Sequence, residues 1–96
     1  MSDQLIQRLR LVVRGAVQGV GFRPFIYHLA SELNLNGWVC NTSVGVLIEA
    51  EGLLPRLQEF LVRIAKERPS LAVIQGMELD YLGYTPCAFK VTVDED

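Results

Sequence analysis

The apolar positions of the chain follow two different periods, and each period predicts one type of element. Apolar and polar residues alternate over several short stretches, as they do in half-buried strands. In two longer stretches the apolar residues recur every third or fourth position, as on one face of a helix. The predicted strands cover residues 9–15, 38–41, 46–51, 73–82 and 89–93, and the predicted helices begin at Pro24 and Pro55.

Glycine, asparagine and proline mark the predicted ends of these elements. Pro24 suits the first helical position, where its missing N–H would have no intrahelical acceptor. The first helix should end within residues 34–37, where Asn and Gly cluster, and Pro69 should end the second. Residues 42–45 indicate a hairpin turn, with a glycine available for positive φ. Gly52 is expected to break the third strand.

The order β-α-β-β-α-β, with one further short strand, predicts an α+β ferredoxin-like sandwich, an antiparallel sheet with both helices on one face. We expect a single domain over residues 1–96, with frayed ends at 1–7 and 94–96. The first helix carries the chain back across the sheet, so the first two strands should be parallel and the third antiparallel to both. The loop after the first strand should then lie beside the end of the second strand.

Composition narrows the classes of partner. The 96 residues are 50% hydrophobic and 21% charged, with a net charge of -2, which argues against nucleic-acid or anionic-membrane partners. The predicted central strands also lack the aromatic residues of an RNA-binding sheet. No apolar run approaches the roughly 18 residues of a membrane-spanning helix, and the first residues lack the apolar core of a signal peptide. A cytoplasmic location is therefore expected, while a small anionic ligand is not excluded.

The two cysteines favour no metal or redox site. Cys40 and Cys87 show no CxxC spacing, and His28 is the only histidine. We expect two reduced, semi-buried thiols, no metal and no cofactor, and a disulfide or a shared metal is the alternative. Strand alternation places the Cys40 side chain opposite to that of Asn41, which predicts that Cys40 lies in the core or behind the site.

The loop Gly15–Pro24, with sequence GAVQGVGFRP, is the candidate functional segment. Its three glycines allow backbone N–H groups to turn inward as an anion-binding nest, and the following helix N-terminus adds partial positive charge. Arg23 supplies a planar cation that matches phosphate oxygens, and Pro24 is expected to hold it away from helical φ/ψ. This pattern predicts a site for one phosphate-like dianion. The alternative is a tight connection with a solvated arginine, and the spacing fits neither a dinucleotide nor a nucleoside-triphosphate loop.

These residues resemble the acylphosphatase family. Its Gly-x-Val-Gln-Gly-Val-x-Phe-Arg loop is present at residues 15–23, and its Gly-Trp-Val-x-Asn strand end at residues 37–41. A narrower resemblance, carried by Phe22-Arg-Pro-Phe25 and Val39-Cys-Asn41, is to the N-terminal acylphosphatase-like domain of HypF, the carbamoyltransferase of nickel-iron hydrogenase maturation. The segment Arg68-Pro-Ser-Leu-Ala72 is similar to a run in the same domain, whereas Thr42 matches the stand-alone enzymes.

The resemblance implies a metal-independent hydrolase of acyl phosphates, and of carbamoyl phosphate if the HypF similarity holds. Arg23 would bind the phosphoryl oxygens and Asn41 would hold the attacking water. The loop would contribute the amides of Val17, Gln18, Gly19, Val20, Gly21 and Phe22. The expected partners are the substrate, inorganic phosphate and downstream domains of a larger maturation factor. A stand-alone acylphosphatase and a catalytically silent anion-binding regulatory domain remain alternatives.

Overall fold

A computed structural model describes residues 6–82 and 92–93 of the chain. The helices are α1 (Phe22–Glu32) and α2 (Leu54–Glu67). The strands are β1 (Ile6–Ala16), β2 (Asn36–Thr42), β3 (Gly45–Leu53), β4 (Val73–Tyr81) and β5 (Thr92–Val93). Neither helix has the length and apolar character needed to cross a bilayer, a finding that covers the described residues alone.

The sheet has the strand order β4-β1-β3-β2-β5. β3 is antiparallel to both β1 and β2, so β1 and β2 run in the same direction, as the sequence predicts. The added strand β5 pairs with β2 in parallel, at Trp38 with Thr92 and Val39 with Val93, so the sheet is not antiparallel throughout. The ferredoxin-like sandwich is confirmed. Phe89 and Val91, which belong to the predicted last strand, lie outside the described residues.

The core lies between one face of the sheet and the two helices. Alternation along the strands produces it, because Leu9, Leu11 and Val13 of β1 are buried while Arg10 between them is exposed. The helices add one apolar stripe each. The buried members of this core from the helices and from β3 are Phe22, Ile26, Leu29, Ala30, Val46, Ile48, Ala50, Leu57, Phe60 and Ile64.

The start of α1 differs from the prediction in a way that matters for the site. The helix begins at Phe22, so Pro24 is its third residue and not its first, and Arg23 is helical. Gly21 caps the helix with φ 82°, and Phe25 donates its N–H to the Gly21 carbonyl oxygen (3.2 Å). The expectation that Pro24 holds Arg23 out of helical φ/ψ was wrong. Burial of the Phe22 ring in the core, where it is 1% exposed, outweighs that local preference.

The end of α1 confirms the prediction to within a few residues. Asn34 has a left-handed backbone (φ 59°) and donates its N–H to the carbonyl oxygen of Ser31. The N–H of Leu35 bonds the carbonyl oxygen of Ala30 (2.9 Å). Together these bonds form the 6→1 and 5→2 pattern that terminates helices, and they turn the chain directly into β2.

Two strand boundaries were also predicted wrongly. Gly52 does not break β3 but pairs with Gln7 of β1 inside the sheet. A β-carbon at Gly52 would clash with the Leu35 side chain, so this glycine makes room for core packing. Ile6 and Gln7, which were expected to fray, are both paired with β3. Fraying of residues 1–5 and 94–96 stays a prediction, because those residues are not described.

Candidate active site

The loop between β1 and α1 is held by apolar side chains and leaves its glycines outermost. Val17 is completely buried, and Val20 packs against the core. Gly19 and Gly21 are exposed and adopt left-handed φ values of 74° and 82°. A backbone of this kind can turn successive N–H groups toward one point, which is the geometry of an anion nest. The predicted glycine conformations are therefore present at both positions.

The N-terminus of α1 adds donors at the same place. The first N–H groups of a helix, here those of Phe22 and Arg23, have no intrahelical acceptor. Pro24, the next residue, has no N–H at all. No acidic residue lies in the first turn, so nothing within the helix offsets the partial positive charge of its N-terminus.

Arg23 is the one fixed charge of this helix start, and its placement is unusual. The residue is half-buried, and its Nη1 atom is buried without a hydrogen-bond partner in the described part of the chain. A guanidinium group is permanently charged and has five N–H donors. Leaving such a donor buried and unpaired costs free energy, unless a ligand supplies the acceptor. An anion at the mouth of the loop would supply it.

Gln18 connects the loop to the β2–β3 turn through its side chain. Its Nε2 atom donates to the carbonyl oxygens of Thr42 (2.6 Å) and Gly45 (3.0 Å). Sequence reasoning assigned Gln18 only a backbone amide in the loop and missed this tether. The signal in the sequence was one polar side chain between glycines and valines, which is typical of a residue that fastens a loop to another part of the chain.

Thr42 fixes the turn that receives this tether. Its Oγ1 atom donates to the carbonyl oxygen of Gly45 (3.2 Å) and accepts the N–H of Val44 (3.2 Å). Gly45 has φ 151°, and a β-carbon there would clash with the carbonyl oxygen of Val13 on β1. The turn between β2 and β3 is therefore pinned both to itself and to the neighbouring strand.

Asn41 immediately precedes this turn. It is half-buried and pairs in register with the buried Val46, on the same side of β2 as Val39 and the helices. Gln18 of the loop bonds Thr42, which is the residue after Asn41. The loop and the end of β2 are therefore neighbours, as the topology predicts. Cys40 points to the side of β2 opposite to Asn41 and is half-buried, as predicted. Of its two expected places, the core is therefore excluded, and a place behind the site stays a prediction.

The arginines near the loop differ in whether a carboxylate pairs with them. Arg14, on the helix-free side of β1, forms an ion pair with Glu78 of β4 (3.1 Å), which offsets much of the field it could add to the site. Within residues 6–82 and 92–93, no three His, Cys, Asp or Glu side chains are grouped closely enough to hold a metal ion. Among the described residues, the donors at this site are thus amides and one guanidinium.

Comparison with known proteins agrees with this geometry. The family model for acylphosphatase matches residues 9–89. An acylphosphatase of Caldivirga maquilingensis is 41% identical over 75 residues, which cover 76% of this chain and 78% of that protein. The chain belongs to the acylphosphatase family. The loop of this acylphosphatase domain, its α1 start and the end of β2 all fall inside the matched residues.

The acylphosphatase domain is also similar to one part of much longer proteins. Carbamoyltransferase HypF2 of Cupriavidus necator is 48% identical over 87 residues, which cover 91% of this chain but only 10% of that protein. The crystal structure of a full-length HypF in a phosphate- and nucleotide-bound form superimposes with a TM-score of 0.83 and 35% identity. That superposition covers 94% of this chain and 12% of the HypF chain. The chain thus spans about a tenth of the length of these relatives.

Proposed function

We propose that this domain hydrolyses the carboxyl–phosphate bond of acyl phosphates. The observation that carries the proposal is the buried Nη1 atom of Arg23, which has no acceptor among the described residues and lies at a helix N-terminus beside a glycine-rich loop. A phosphoryl group supplies several acceptor oxygens and the negative charge that this arrangement lacks. Membership of the acylphosphatase family supports the same reaction class.

In the proposed complex, Arg23 and the loop amides share the phosphoryl oxygens. The guanidinium group of Arg23 binds one or two of them, and the N–H groups of residues 17–22 bind the others. These donors are fixed in advance by the buried Val17 and Phe22 and by the Gln18 tether. Donors already in place require little reorganisation when charge develops on the transferring group, which is the main source of catalysis in such a site.

Asn41 is proposed to position the attacking water through its side-chain amide. The water oxygen forms a bond to phosphorus as the bond between phosphorus and the acyl oxygen breaks, and the carboxylate leaves with the electron pair. The water proton passes to a phosphoryl oxygen, so no protein base takes part. A carboxylate is a good leaving group. The reaction therefore mainly requires that the water is positioned and that the charge on the phosphoryl group is stabilised, and neither requirement needs a metal ion.

Carbamoyl phosphate is the proposed physiological substrate. The similarity to HypF carbamoyltransferases over most of this chain supports it. On this view the domain is the N-terminal part of a longer maturation factor. Its product, carbamate, would pass to downstream domains for activation and transfer.

A stand-alone acylphosphatase is the second candidate. It is favoured by Thr42, which pins the turn beside Asn41 and matches the stand-alone enzymes, and by the Caldivirga maquilingensis acylphosphatase, 78% of which is covered. Such an enzyme would act on small acyl phosphates without selecting carbamoyl phosphate. The two candidates share the site and the chemistry, and they differ in the acyl group.

Side-by-side phosphate release from acetyl, benzoyl and carbamoyl phosphate tests both candidates. We expect release by the unmodified chain with the highest kcat/KM for carbamoyl phosphate, and no change on addition of a metal chelator. Arg23→Ala should abolish most of the activity, whereas the matched control Arg56→Ala, an exposed cation on α2, should not change it. Release without preference would favour the stand-alone enzyme.

Two results would contradict hydrolysis at this site. Equal release by Arg23→Ala would remove the arginine from the mechanism. No release, together with a rise in melting temperature on addition of inorganic phosphate, would indicate the silent anion-binding domain, because a ligand that binds only the folded state stabilises it without turnover.

A further inference from the structure

The pairing of β1 with β4 has one irregular step, and it lies directly before the loop. Up to Arg14, which pairs with Gly76, the register is regular, but the next residue, Gly15, pairs with Ile74. Gln75 is therefore skipped in the pairing of these two strands. We call residues 74–76 the β4 bulge. Bulges of one extra residue bend the strand, increase its local twist and are frequent next to active sites.

The side chains of β4 show that Gln75 is the extra residue. Ile74 and Met77 both pack against the core, although they are three positions apart. On a regular strand, residues an odd number of positions apart point to opposite faces. Gln75 itself is exposed. Without it, Ile74 and Met77 would be two positions apart and would still share the core face, so packing of the core does not require the bulge.

The last two residues of β1 depend on β4 for their direction. In the described sheet, the pairing of β1 with β3 ends at Arg14 with Gly45, whereas the pairing with β4 continues through Gly15 and Ala16. Ala16 leads directly into Val17, the first residue of the loop after β1. The direction in which the chain enters the loop is therefore set at the β4 bulge.

Gly15 has the backbone that fits this irregular step. Its φ of 133° lies in a region that L-amino acids with a side chain rarely adopt. A β-carbon there would clash with the carbonyl oxygen of Val73 and would lie 2.9 Å from the backbone nitrogen of Gln75. The two strands thus approach each other at Gly15 more closely than any other residue type would allow.

The start of β4 is held in place from the other side. The N–H of Ala72 donates to the carbonyl oxygen of Pro69 (2.9 Å). The guanidinium group of Arg68 donates from Nε to the carbonyl oxygen of Ala72 (3.3 Å) and from Nη1 to that of Ala65 in α2 (2.7 Å). The β4 bulge therefore gives the end of β1 a partner that is fixed to α2.

We propose that the β4 bulge is a positioning element for the proposed hydrolysis. Together with Gly15 it sets the direction in which the chain leaves β1, and it thereby aligns the loop amides with Asn41. A regular ladder would lack the bend and the added twist, and the loop would leave β1 in a different direction. Gln75 does not touch the substrate, so it acts through the backbone alone. This inference rests on the proposed function.

Deletion of Gln75 tests the proposal. The deletion removes the bulge but keeps the observed pairs of Arg14 with Gly76 and of Gly15 with Ile74. We therefore expect the variant to fold, with a urea midpoint no lower than that of the unmodified chain. We expect kcat/KM for an acyl phosphate and the affinity for inorganic phosphate each to fall at least about tenfold, because small misplacements of binding groups are costly. Circular dichroism, urea unfolding, initial rates and calorimetric titration with phosphate measure these quantities.

Gln75→Ala is the matched control. It removes the side chain but keeps the extra residue, and therefore the bulge. Its kcat/KM and its phosphate affinity should equal those of the unmodified chain. A loss that appears in the deletion and not in Gln75→Ala belongs to the backbone of the bulge and not to the glutamine side chain.

Three results would overturn the proposal. They are unchanged kinetics and phosphate affinity in the deletion variant, equal losses in the deletion and in Gln75→Ala, and loss of folding in the deletion, which would make the bulge a requirement of the fold. An unmodified chain that binds phosphate but releases none from acyl phosphates would contradict the proposed function alone. The comparison of phosphate affinities would then still decide whether the β4 bulge positions the loop.

Discussion

Arginine serves two different purposes on the two sides of the sheet. On the helix-free face, Arg8 and Arg10 both bond the carboxylate of Glu49. The distances are 2.9 Å from Arg8 Nε to Oε1 and 2.9 Å from Arg10 Nη2 to Oε2. On the helix side, Arg23 has a buried Nη1 atom without an acceptor among the described residues. The residue type is the same, and what differs is whether the fold supplies the anion.

The carboxylate of Glu49 shows how complete the pairing is on the helix-free face. Glu49 is only 6% exposed. Burial by itself would raise its pKa, but the hydrogen bonds and charges of Arg8 and Arg10 outweigh burial and hold that pKa below the ordinary value of 4.5. Paired guanidinium groups therefore stabilise the sheet, whereas we propose that the guanidinium of Arg23 pairs with a phosphoryl group. The predictions below separate these two uses.

The largest expected effect is on catalysis at the loop. Arg23→Ala and Asn41→Ala should each lower kcat/KM for an acyl phosphate by about 10²- to 10³-fold, because each removes a preorganised donor. Arg23→Ala should not lower the urea midpoint of the ligand-free domain by much, since the buried Nη1 atom of Arg23 has no hydrogen-bond partner among the described residues. Steady-state kinetics and urea unfolding measure the two quantities. A large loss of stability with normal kinetics in Arg23→Ala would make its role the same as that of Arg10.

Glu49→Ala should show the reverse pattern. Removing this carboxylate takes away the acceptor that Arg8 and Arg10 share. We expect the free energy of unfolding to fall by about 1.5–3 kcal/mol, the range for hydrogen bonds to charged groups. Acyl phosphate hydrolysis well below the melting temperature should be unchanged, because Glu49 lies with Arg8 and Arg10 on the helix-free face, whereas Asn41 lies on the helix side. Urea unfolding and initial rates provide the measurement. An activity loss comparable with that of Arg23→Ala would show that the two faces are coupled.

Gln18→Ala tests the tether between the loop and the turn. Loss of its bonds to Thr42 and Gly45 should let the β1–α1 loop shift relative to Asn41 and lower kcat by about tenfold, a modest misplacement effect. Gln58→Ala, an exposed glutamine on α2, is the matched control. Kinetics that resolve kcat from KM would distinguish the roles, since a residue that only binds phosphate would change KM instead.

The smallest expected effect is a pH dependence of stability. A carboxyl group whose folded pKa is depressed contributes stability above its unfolded pKa, and this contribution is lost as pH falls through the folded pKa. The stability difference between the unmodified chain and Glu49→Gln should therefore be largest near neutral pH and shrink as pH falls below 4.5. Urea unfolding at a series of pH values measures it. A difference that stays constant down to about pH 3 would show that the Glu49 charge contributes nothing.

Local patterns predicted the elements well where packing and propensity agree. Alternation located β1 and β3, and the Asn and Gly cluster located the end of α1. The predictions failed where packing overrode a local preference. Pro24 disfavours helical φ/ψ at Arg23, yet burial of Phe22 in the core makes the helix begin at Phe22 and include Arg23. Gly52 resembles a strand breaker, yet it makes room for Leu35 inside β3.

The candidate site likewise has features that the sequence predicted and features that it did not. The residue types of the loop and of the β2 end were recognisable from their spacing, because glycines, a helix start and an arginine suit an anion wherever they occur together. The Gln18 tether was not recognisable, since its acceptors are backbone oxygens 24 and 27 positions away. Alternation correctly placed Cys40 opposite to Asn41, but it left open whether Cys40 faces the core, because alternation separates two faces without saying which one the helices cover.

The sequence by itself determined the order of elements, the fold class and the chemical character of the loop, since these follow from local periodicity and from residue types. Only the tertiary structure decided which arginines are paired. Arg10 and Arg23 are the same residue type, but β3 places Glu49 beside Arg10, while the buried Nη1 atom of Arg23 at the start of α1 has no acceptor among the described residues. That choice depends on which strands become neighbours, and strand pairing is a long-range property that no local stretch of the chain contains.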